Sequence, residues 1–404
     1  EVPLNFPTKS SARYSMKSVS SFTTEAGLKT SFPSHLTDVP LMGSVKRVVV
    51  SGSKIGLTSS AFSNPSNCQL SLSEDFFGAQ LKMSTSVRSC MDFLIIFRFI
   101  INKDRMLQEF NPKNANIQIW VGNSLVPRQD AKVSVFDSSV QGGDAVWEGL
   151  RRYKEGVFCL DRHLDRMYES AKALAFTEVP ERSFIKSAIK QTLEANGMTH
   201  DTHIRLTLTR GEKVTSGMDP RVNQSGPCLI VLAEWKPLVY DNENGIRVIT
   251  STQRRNNPQF LDSKIHHNNL LNNILAKIQA NFAGVDAAIQ LDHQGFVAEL
   301  NDTNLFMAKD GVLYTPYADA CLHGITRGLV LEVAEKEQIK AQEKNLSLVE
   351  FYNADEVFAT GTMGELTPVH EIDGRPVENK TGIKLRARLQ EAFSKQIPDL
   401  CEQL

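Results

Sequence analysis

Lys264 lies in LDSKIHHNNLLNNILAKIQA, just before a run with helical periodicity. Glu299 lies near the end of AAIQLDHQGFVAELNDTNLF, which reads as two strands joined at Asp292-His293-Gln294-Gly295. A solvent-shielded lysine amine can form a Schiff base with an aldehyde. A carboxylate on a neighbouring element can hold a proton on the ring nitrogen of a heteroaromatic cofactor. Those are the roles these two residue types would take together. The chain also holds 45 Lys+Arg and 46 Asp+Glu. A lysine and a glutamate at this separation are therefore equally the charges of an ordinary surface.

Two short turns could take an anion. In HGITR, Gly324 leads into a helix start, where the backbone N–H groups of Ile325 and Thr326 have no partner in their own helix. In TGTMG, Gly361 and Gly364 flank Thr362 and Met363, so the backbone can approach a ligand and the threonine hydroxyl adds a donor. Neither turn is a Walker loop or a dinucleotide fingerprint, and each is also compatible with an ordinary cap or loop. Arg166 follows His163 by three positions on a predicted helix. It either forks onto a phosphate or is a solvated helix charge. Arg151 and Arg205 fall on predicted strands, where each either clamps a substrate carboxylate or pairs with an acid. His266, His267 and His293 lack an acid at ligand spacing. A structural or lining role suits them better than a metal, and no metal site is expected. A G-x-S-x-G nucleophile elbow is absent from the sequence.

The elements that must position these groups begin at Asn116. IQIWVGN and SLVPRQDAKVSV read as strands around a Gly-Asn turn, and AVWEGLRRYKEGVFCL as a second pair hinged at Lys154-Glu155-Gly156. Asp161 is placed to cap a helix carrying Leu164, Met167, Tyr168, Ala171 and Leu174 on one side. RSFIKSAIKQTLEANG forms a second helix ended at Gly197. THIRLTLTRG and CLIVLAEW are β-rich, and the Pro-, Asp- and Asn-bearing KPLVYDNENG reads as a linker. Beyond it come the strand RVITST and the Lys264 segment. The helix after that segment has the apolar stripe Leu270, Leu271, Ile274, Leu275 and Ile278, expected to face the core. Strands on either side of Lys309-Asp310-Gly311, a helix from HGITR, the pair in EVFATGTMGELTPV and a last helix in GIKLRARLQEAFSKQI complete the pattern. The order is α+β with mixed sheets instead of regular βαβ alternation. It divides as a segment 1–115, a small α+β domain 116–238, a linker 239–245 and a larger domain 246–404.

Composition narrows the classes. The 404 residues allow two or three domains, with 41% hydrophobic and 23% charged residues and a formal net charge of −1. No basic surface for nucleic acid or membrane headgroups is implied. The apolar run Met91–Ile101 is too short to span a bilayer, which needs about 20 residues. Cys68, Cys90, Cys159, Cys228, Cys321 and Cys401 form no C-x-x-C pair, which favours a reducing compartment, cytoplasm or plastid stroma. The first 88 residues are rich in Ser, Thr and Pro. With Lys9, Arg13, Lys17 and Lys29 they resemble an organelle transit peptide, against which Glu1 and Glu25 stand.

From Ile117 to the C-terminus the chain resembles the class IV, or fold-type IV, pyridoxal-phosphate enzymes, and among these the branched-chain aminotransferase-like proteins of plants. VWEGLRRY, HLDRMYESAKAL, HIRLTLTRG, SKIHHNNLLNNILA, AELNDTNLF, HGITR and TGTMGELTPV carry the likeness, in the family's order. The resemblance implies a two-domain fold, a bound pyridoxal 5'-phosphate and a homodimer. It implies transfer of an amino group between an amino acid, branched-chain-like or D-, and a 2-oxo acid. It assigns the Schiff base to Lys264, the ring-nitrogen partner to Glu299 and the phosphate to Arg166, Ile325, Thr326 and Thr362, with Met363 beside it. Arg151 and Arg205 fall on the substrate side. Three tyrosines of the branched-chain pattern are replaced, by Gly142, by His203 and, facing the cofactor, by Asn269. A lyase acting on a chorismate-derived amine, or a catalytically silent relative, are the alternatives the same motifs allow.

Overall fold

The structure, a computed structural model, describes residues 108–404 and four short strands of the preceding segment, Ser20–Thr23, Lys29–Phe32, Val48–Val50 and Ser53–Ile55. The chain divides into two units, Glu1–Arg105 and Met106–Leu404. In the first, the four strands form two antiparallel pairs. The leader-like stretch and the run Met91–Ile101 otherwise lie outside the described residues.

The second unit contains two sheets. The first has seven strands, in the order Cys401–Glu402, Gly156–Phe158, Ala145–Tyr153, Thr202–Thr209, Cys228–Trp235, Gln118–Val121 and Ser124–Pro127. One face carries Val146, Leu150, Leu206 and Val231, and helices Leu160–Ala173 and Arg182–Ala195 cover it with Leu164, Met167, Ile185 and Ile189. The other face carries Trp147, Gly149 and Arg151 opposite Thr207, Arg205 and His203. Strand alternation therefore sends the apolar set, with Glu148 among it, to the helices and Trp147, Arg151, His203 and Arg205 to the opposite side. Near the C-terminus, Cys401 and Glu402 return to this sheet beside Gly156–Phe158.

Helix Leu160–Ala173 starts before the expected cap. Cys159 is its N-cap, at φ 49°, and makes no side-chain cap bond. Its N–H donates instead to the Leu400 carbonyl at 2.8 Å. Asp161 consequently sits inside the first turn and pairs with Lys186 at 2.9 Å.

The second sheet has nine strands. Eight run in the order Val297–Leu300, Ala287–Leu291, Ile246–Thr250, Glu365–Ile372, Glu356–Gly361, Asn304–Lys309, Val312–Thr315 and Ala341–Glu343, while Arg375–Pro376 pairs with Glu365–Ile372. Parallel and antiparallel pairings mix, as the α+β pattern requires. Helices Ile325–Lys336 and Leu385–Gln396 pack their Leu329, Val330, Leu389 and Phe393 over Phe306 and Phe358, which stack at 5.3 Å.

Helix Leu271–Ala283 overturns the expected polarity of its stripe. Only Ala276 and Ala280 are buried, against Ala288 of the neighbouring strand. Leu271, Ile274, Leu275, Ile278 and Phe282 point outward. Close approach of helix to strand selects the smallest side chains, so the larger apolar residues lie on the far face.

Candidate active site

Glu299 is sealed in strand Val297–Leu300, 4% exposed. Its Oε1 accepts from Arg255 Nε at 2.5 Å and its Oε2 from Asn304 Nδ2 at 3.2 Å, and the Leu322 N–H also donates to it. Burial pushes the Glu299 carboxyl above its ordinary range, while the Arg255 guanidinium pulls the other way. Arg255 is itself buried and tied by Nη1 to Asn272 Oδ1 at 3.1 Å. Sequence reasoning missed Arg255 and Asn304. A buried carboxylate calls for a nearby cation, and Gln253-Arg254-Arg255, just before the lysine loop, was the available signal.

Lys264 lies on the loop before helix Leu271–Ala283. Its N–H donates to Asp262 Oδ1 at 3.0 Å, and Nζ reaches Asp262 Oδ1 at 3.3 Å and the Asp319 carbonyl at 3.4 Å. The side chain is 37% exposed. The shielded lysine expected from the sequence is thus half-open in the single chain, because its loop lies at the surface beside the outward helix face. Lys264 and Glu299 nevertheless grip the same short loop, at the Asp319 carbonyl and at the Leu322 N–H. A span of three residues reaches at most about 10 Å.

That loop runs on into Gly324, the N-cap of helix Ile325–Lys336. A side chain at 324 would meet Asn304 Oδ1 at 2.0 Å, so any larger residue there must displace the Asn304 amide. Asn304 joins the parts of the site. Its amide donates to Glu299 and to the Leu322 carbonyl at 3.0 Å, and its strand register places it opposite Thr360. Thr360 leads into the turn of Gly361, Thr362, Met363 and Gly364. The linker braces this turn, with Val239 N–H donating to the Met363 carbonyl and Asn242 Nδ2 to the Gly364 carbonyl, both at 2.9 Å. The hydroxyls of Thr326 and Thr360 are buried without a partner among the described residues. Together with the unpaired N–H groups that a helix start leaves at Ile325 and Thr326, they make a donor-rich, anion-seeking corner beside Glu299.

Arg166 takes a different posture from the fork onto a free anion that its position suggested. Its Nε and Nη2 form a bidentate pair with Glu148 at 2.9 and 2.6 Å, and Nη1 donates to the His323 carbonyl at 2.9 Å. It therefore reaches the residue preceding Gly324, with one hydrogen each on Nη1 and Nη2 left for a ligand. Glu148, fully buried, also binds His163 Nδ1 at 2.7 Å and His266 Nδ1 at 3.0 Å. Although burial alone would raise its pKa, Arg166 and the imidazoles hold Glu148 well below the usual carboxylate range. Nothing in the spacing of VWEGLRRY singled out Glu148.

Arg151 and Arg205 share the polar sheet face but differ in company. Arg151 pairs with Asp201 at 3.3 Å, the ordinary outcome for a strand arginine. Arg205 lies 3.6 Å over the Trp147 ring and donates to Asn268 Oδ1 at 2.8 Å. Among the described residues, no carboxylate stands within ion-pair distance of it. Burial lowers its pKa to about 10. His203 is neutral, pushed down to about 3 by burial and by Lys236, Arg205 and Arg151. Gly142 is exposed, and so is Asn269, whose N–H donates to His267 Nδ1 at 3.2 Å. His293 sits in an exposed turn away from the other histidines.

Comparisons with known proteins give the chain's family. Residues 145–372 match the model of the amino-transferase class IV family. Branched-chain-amino-acid aminotransferase-like protein 2 of Arabidopsis thaliana is 62% identical over 285 residues, 70% of this chain and 51% of that protein. The putative branched-chain-amino-acid aminotransferase of Methanocaldococcus jannaschii is 41% identical over 278 residues, 69% of this chain and 95% of that protein. Among solved structures, the T.th. branched-chain amino acid aminotransferase complexed with N-(5'-phosphopyridoxyl)-L-glutamate superposes with a TM-score of 0.65 at 33% identity, covering 70% of this chain and 95% of that one. The chain spans about half the length of the Arabidopsis relatives it matches. It belongs to the class IV aminotransferase family.

Proposed function

We propose that this chain is a pyridoxal-phosphate-dependent aminotransferase, moving an amino group between an amino acid, branched-chain-like or D-, and a 2-oxo acid. One observation carries the reading. A half-open lysine and a sealed carboxylate grip one short loop, and that loop feeds directly into a donor-rich helix start. The residues present fit the cofactor's three handles. The orphaned hydroxyl of Thr326, the turn at Thr362 and Met363, the Ile325 and Thr326 N–H groups and the spare hydrogens of Arg166 suit its phosphate. Glu299 suits its ring nitrogen, and Lys264 its aldehyde. Asn269 stands where the family has a tyrosine against the ring, and its exposed amide offers a weaker contact.

When bound, the cofactor supplies a ring that takes up the electrons released at the substrate α-carbon. The chain's own residues do the rest. Lys264 supplies the amine that takes the α-proton and returns it. Glu299, whose upward push from burial is opposed by the Arg255 guanidinium, would hold a proton at the ring nitrogen. Glu148 holds Arg166 against the start of helix Ile325–Lys336, so the phosphate end is fixed relative to the lysine. Arg205, half-buried and without an acid partner among the described residues, is suited to a substrate carboxylate, whereas Arg151 is already paired.

A second copy of the chain is the proposed occupant of the outward face of helix Leu271–Ala283. Phe282, on that face, is 83% exposed and Phe260, on the lysine loop, 77%, which a monomer in water disfavours. A homodimer through this face would also cover the lysine loop.

The test is Lys264→Ala on the full chain. The variant loses the visible absorbance of the lysine-bound cofactor and nearly all transfer of amino groups. Retention of both excludes the assignment. Half-reactions with D- and L-amino acids then read the substrate hand.

A further inference from the structure

We propose that His266 is a substrate-recognition residue whose outer ring nitrogen accepts a hydrogen bond from side chains that carry a hydroxyl or a carboxamide. The inference rests on the aminotransferase reading and adds a substrate class to it.

The carboxylate of Glu148 receives four hydrogen bonds, two from Arg166 and one each from His163 Nδ1 and His266 Nδ1. With Arg166 beside it Glu148 is ionised, and an ionised carboxylate only accepts. Both imidazoles therefore carry their hydrogen on Nδ1. Burial pushes His266 down to about 4, with Arg166 and Arg205 acting in the same direction, and Glu148 only partly offsets this. His266 is thus a neutral ring with a bare lone pair on Nε2.

The two histidines then part. His163 Nε2 is sealed in the core with no partner among the described residues. The His266 side chain keeps 12% of its surface open, and its Nε2 makes no hydrogen bond among the described residues. The ring lies 4.2 Å from that of Trp147, which also carries the Arg205 guanidinium. Trp147 Nε1 donates to the His267 carbonyl at 3.1 Å, and Arg205 binds Asn268. His266, Trp147, Arg205 and the segment just after Lys264 consequently form one wall. It presents an acceptor next to a cation. A hydroxyl or amide N–H satisfies the acceptor, a methyl group leaves it desolvated, and a cationic side chain is repelled.

Threonine and valine differ by hydroxyl against methyl at nearly equal shape, and asparagine and leucine make a second such pair. The experiment measures kcat/KM for these four amino acids, in the hand the enzyme accepts, with the holoenzyme, His266→Ala and His266→Gln. The wild type prefers threonine to valine by about tenfold or more. The preference collapses in His266→Ala and returns in part in His266→Gln, whose amide oxygen accepts. A wild-type preference for valine overturns the proposal without any variant being needed. An unchanged ratio in His266→Ala overturns it as well. The cofactor's visible absorbance, recorded on the same wild-type samples, separates the two levels. If it is missing, the aminotransferase reading fails and the acceptor proposal with it. If it is present with the wrong substrate ratio, only the role of His266 fails.

Discussion

Arg255→Met is the sharpest probe of how the site is held together. Arg255 and Glu299 form an ion pair whose side chains are 8% and 5% exposed. Removing one partner of such a pair leaves a buried charge uncompensated, at a cost of about 3–5 kcal/mol. Methionine fills much of the volume, so most of that loss is electrostatic. The pH dependence has a definite sign. Burial already raises the folded-state pKa of Glu299 above its unfolded value, with Arg255 restraining the rise. A carboxyl of this kind contributes its stability below the unfolded pKa, and that contribution is lost as pH climbs through the folded value. Without Arg255 the folded value rises further, so the loss deepens and extends to higher pH. Urea unfolding at pH 5 and pH 8 should therefore show Arg255→Met losing more stability at pH 8 than the wild type does. The double variant Arg255→Met, Glu299→Gln removes the orphaned charge and should regain most of the deficit. If the double variant is as unstable as the single one, or if the single variant loses nothing between the two pH values, the charge reasoning is wrong.

Two further outcomes follow from the same geometry. Glu299→Gln keeps the shape and one acceptor oxygen, losing the other to an NH2 group, and should still bind cofactor, but it should transaminate at least about 100-fold more slowly, read by single-turnover absorbance; a wild-type rate removes the ring-nitrogen role. Ile278→Glu places a charge in the outward stripe of helix Leu271–Ala283 and should convert a dimer to monomers in sedimentation velocity, whereas an unchanged mass shows that this face is not the interface.

Much of the architecture was legible because it is periodic. Strand alternation in Ala145–Tyr153 and helical spacing at Leu164, Met167 and Ala171 reflect burial on one face, and the structure buries those residues there. The glycine turns were legible for steric reasons, as Gly324 against Asn304 illustrates. What escaped was relational. Helix Leu271–Ala283 has a clear apolar stripe, but periodicity identifies a face and not which side covers it. The two alanines opposite were the hidden clue. Arg255, Asn304 and Glu148 also escaped. Arg255 and Glu148 act by bonding to residues far along the chain, Asn304 ties Glu299, five positions back, to Leu322, and a buried polar network of this kind leaves no spacing pattern.

The polar partners also account for what the candidate lysine lacks. Glu299 and Glu148 are closed by bonds from their own chain, to Arg255 and Asn304 in one case and to Arg166, His163 and His266 in the other. Among the described residues the Lys264 amine has only two longer contacts, to Asp262 and the Asp319 carbonyl, and over a third of its side chain is open. A single folded chain thus fixes its two acidic groups rigidly and leaves the amine loosely held. For the role proposed for Lys264, giving up one covalent partner and moving a proton to another atom, loose tethering between fixed neighbours is the useful condition. Shielding then has to come from outside the chain's own core. The exposed Phe260 on the lysine loop and the apolar stripe of the following helix lie in the same stretch of sequence as Lys264. A partner that covers the stripe would shield the amine with it, so loss of the dimer in Ile278→Glu should weaken the cofactor's absorbance although no residue of the site has been changed.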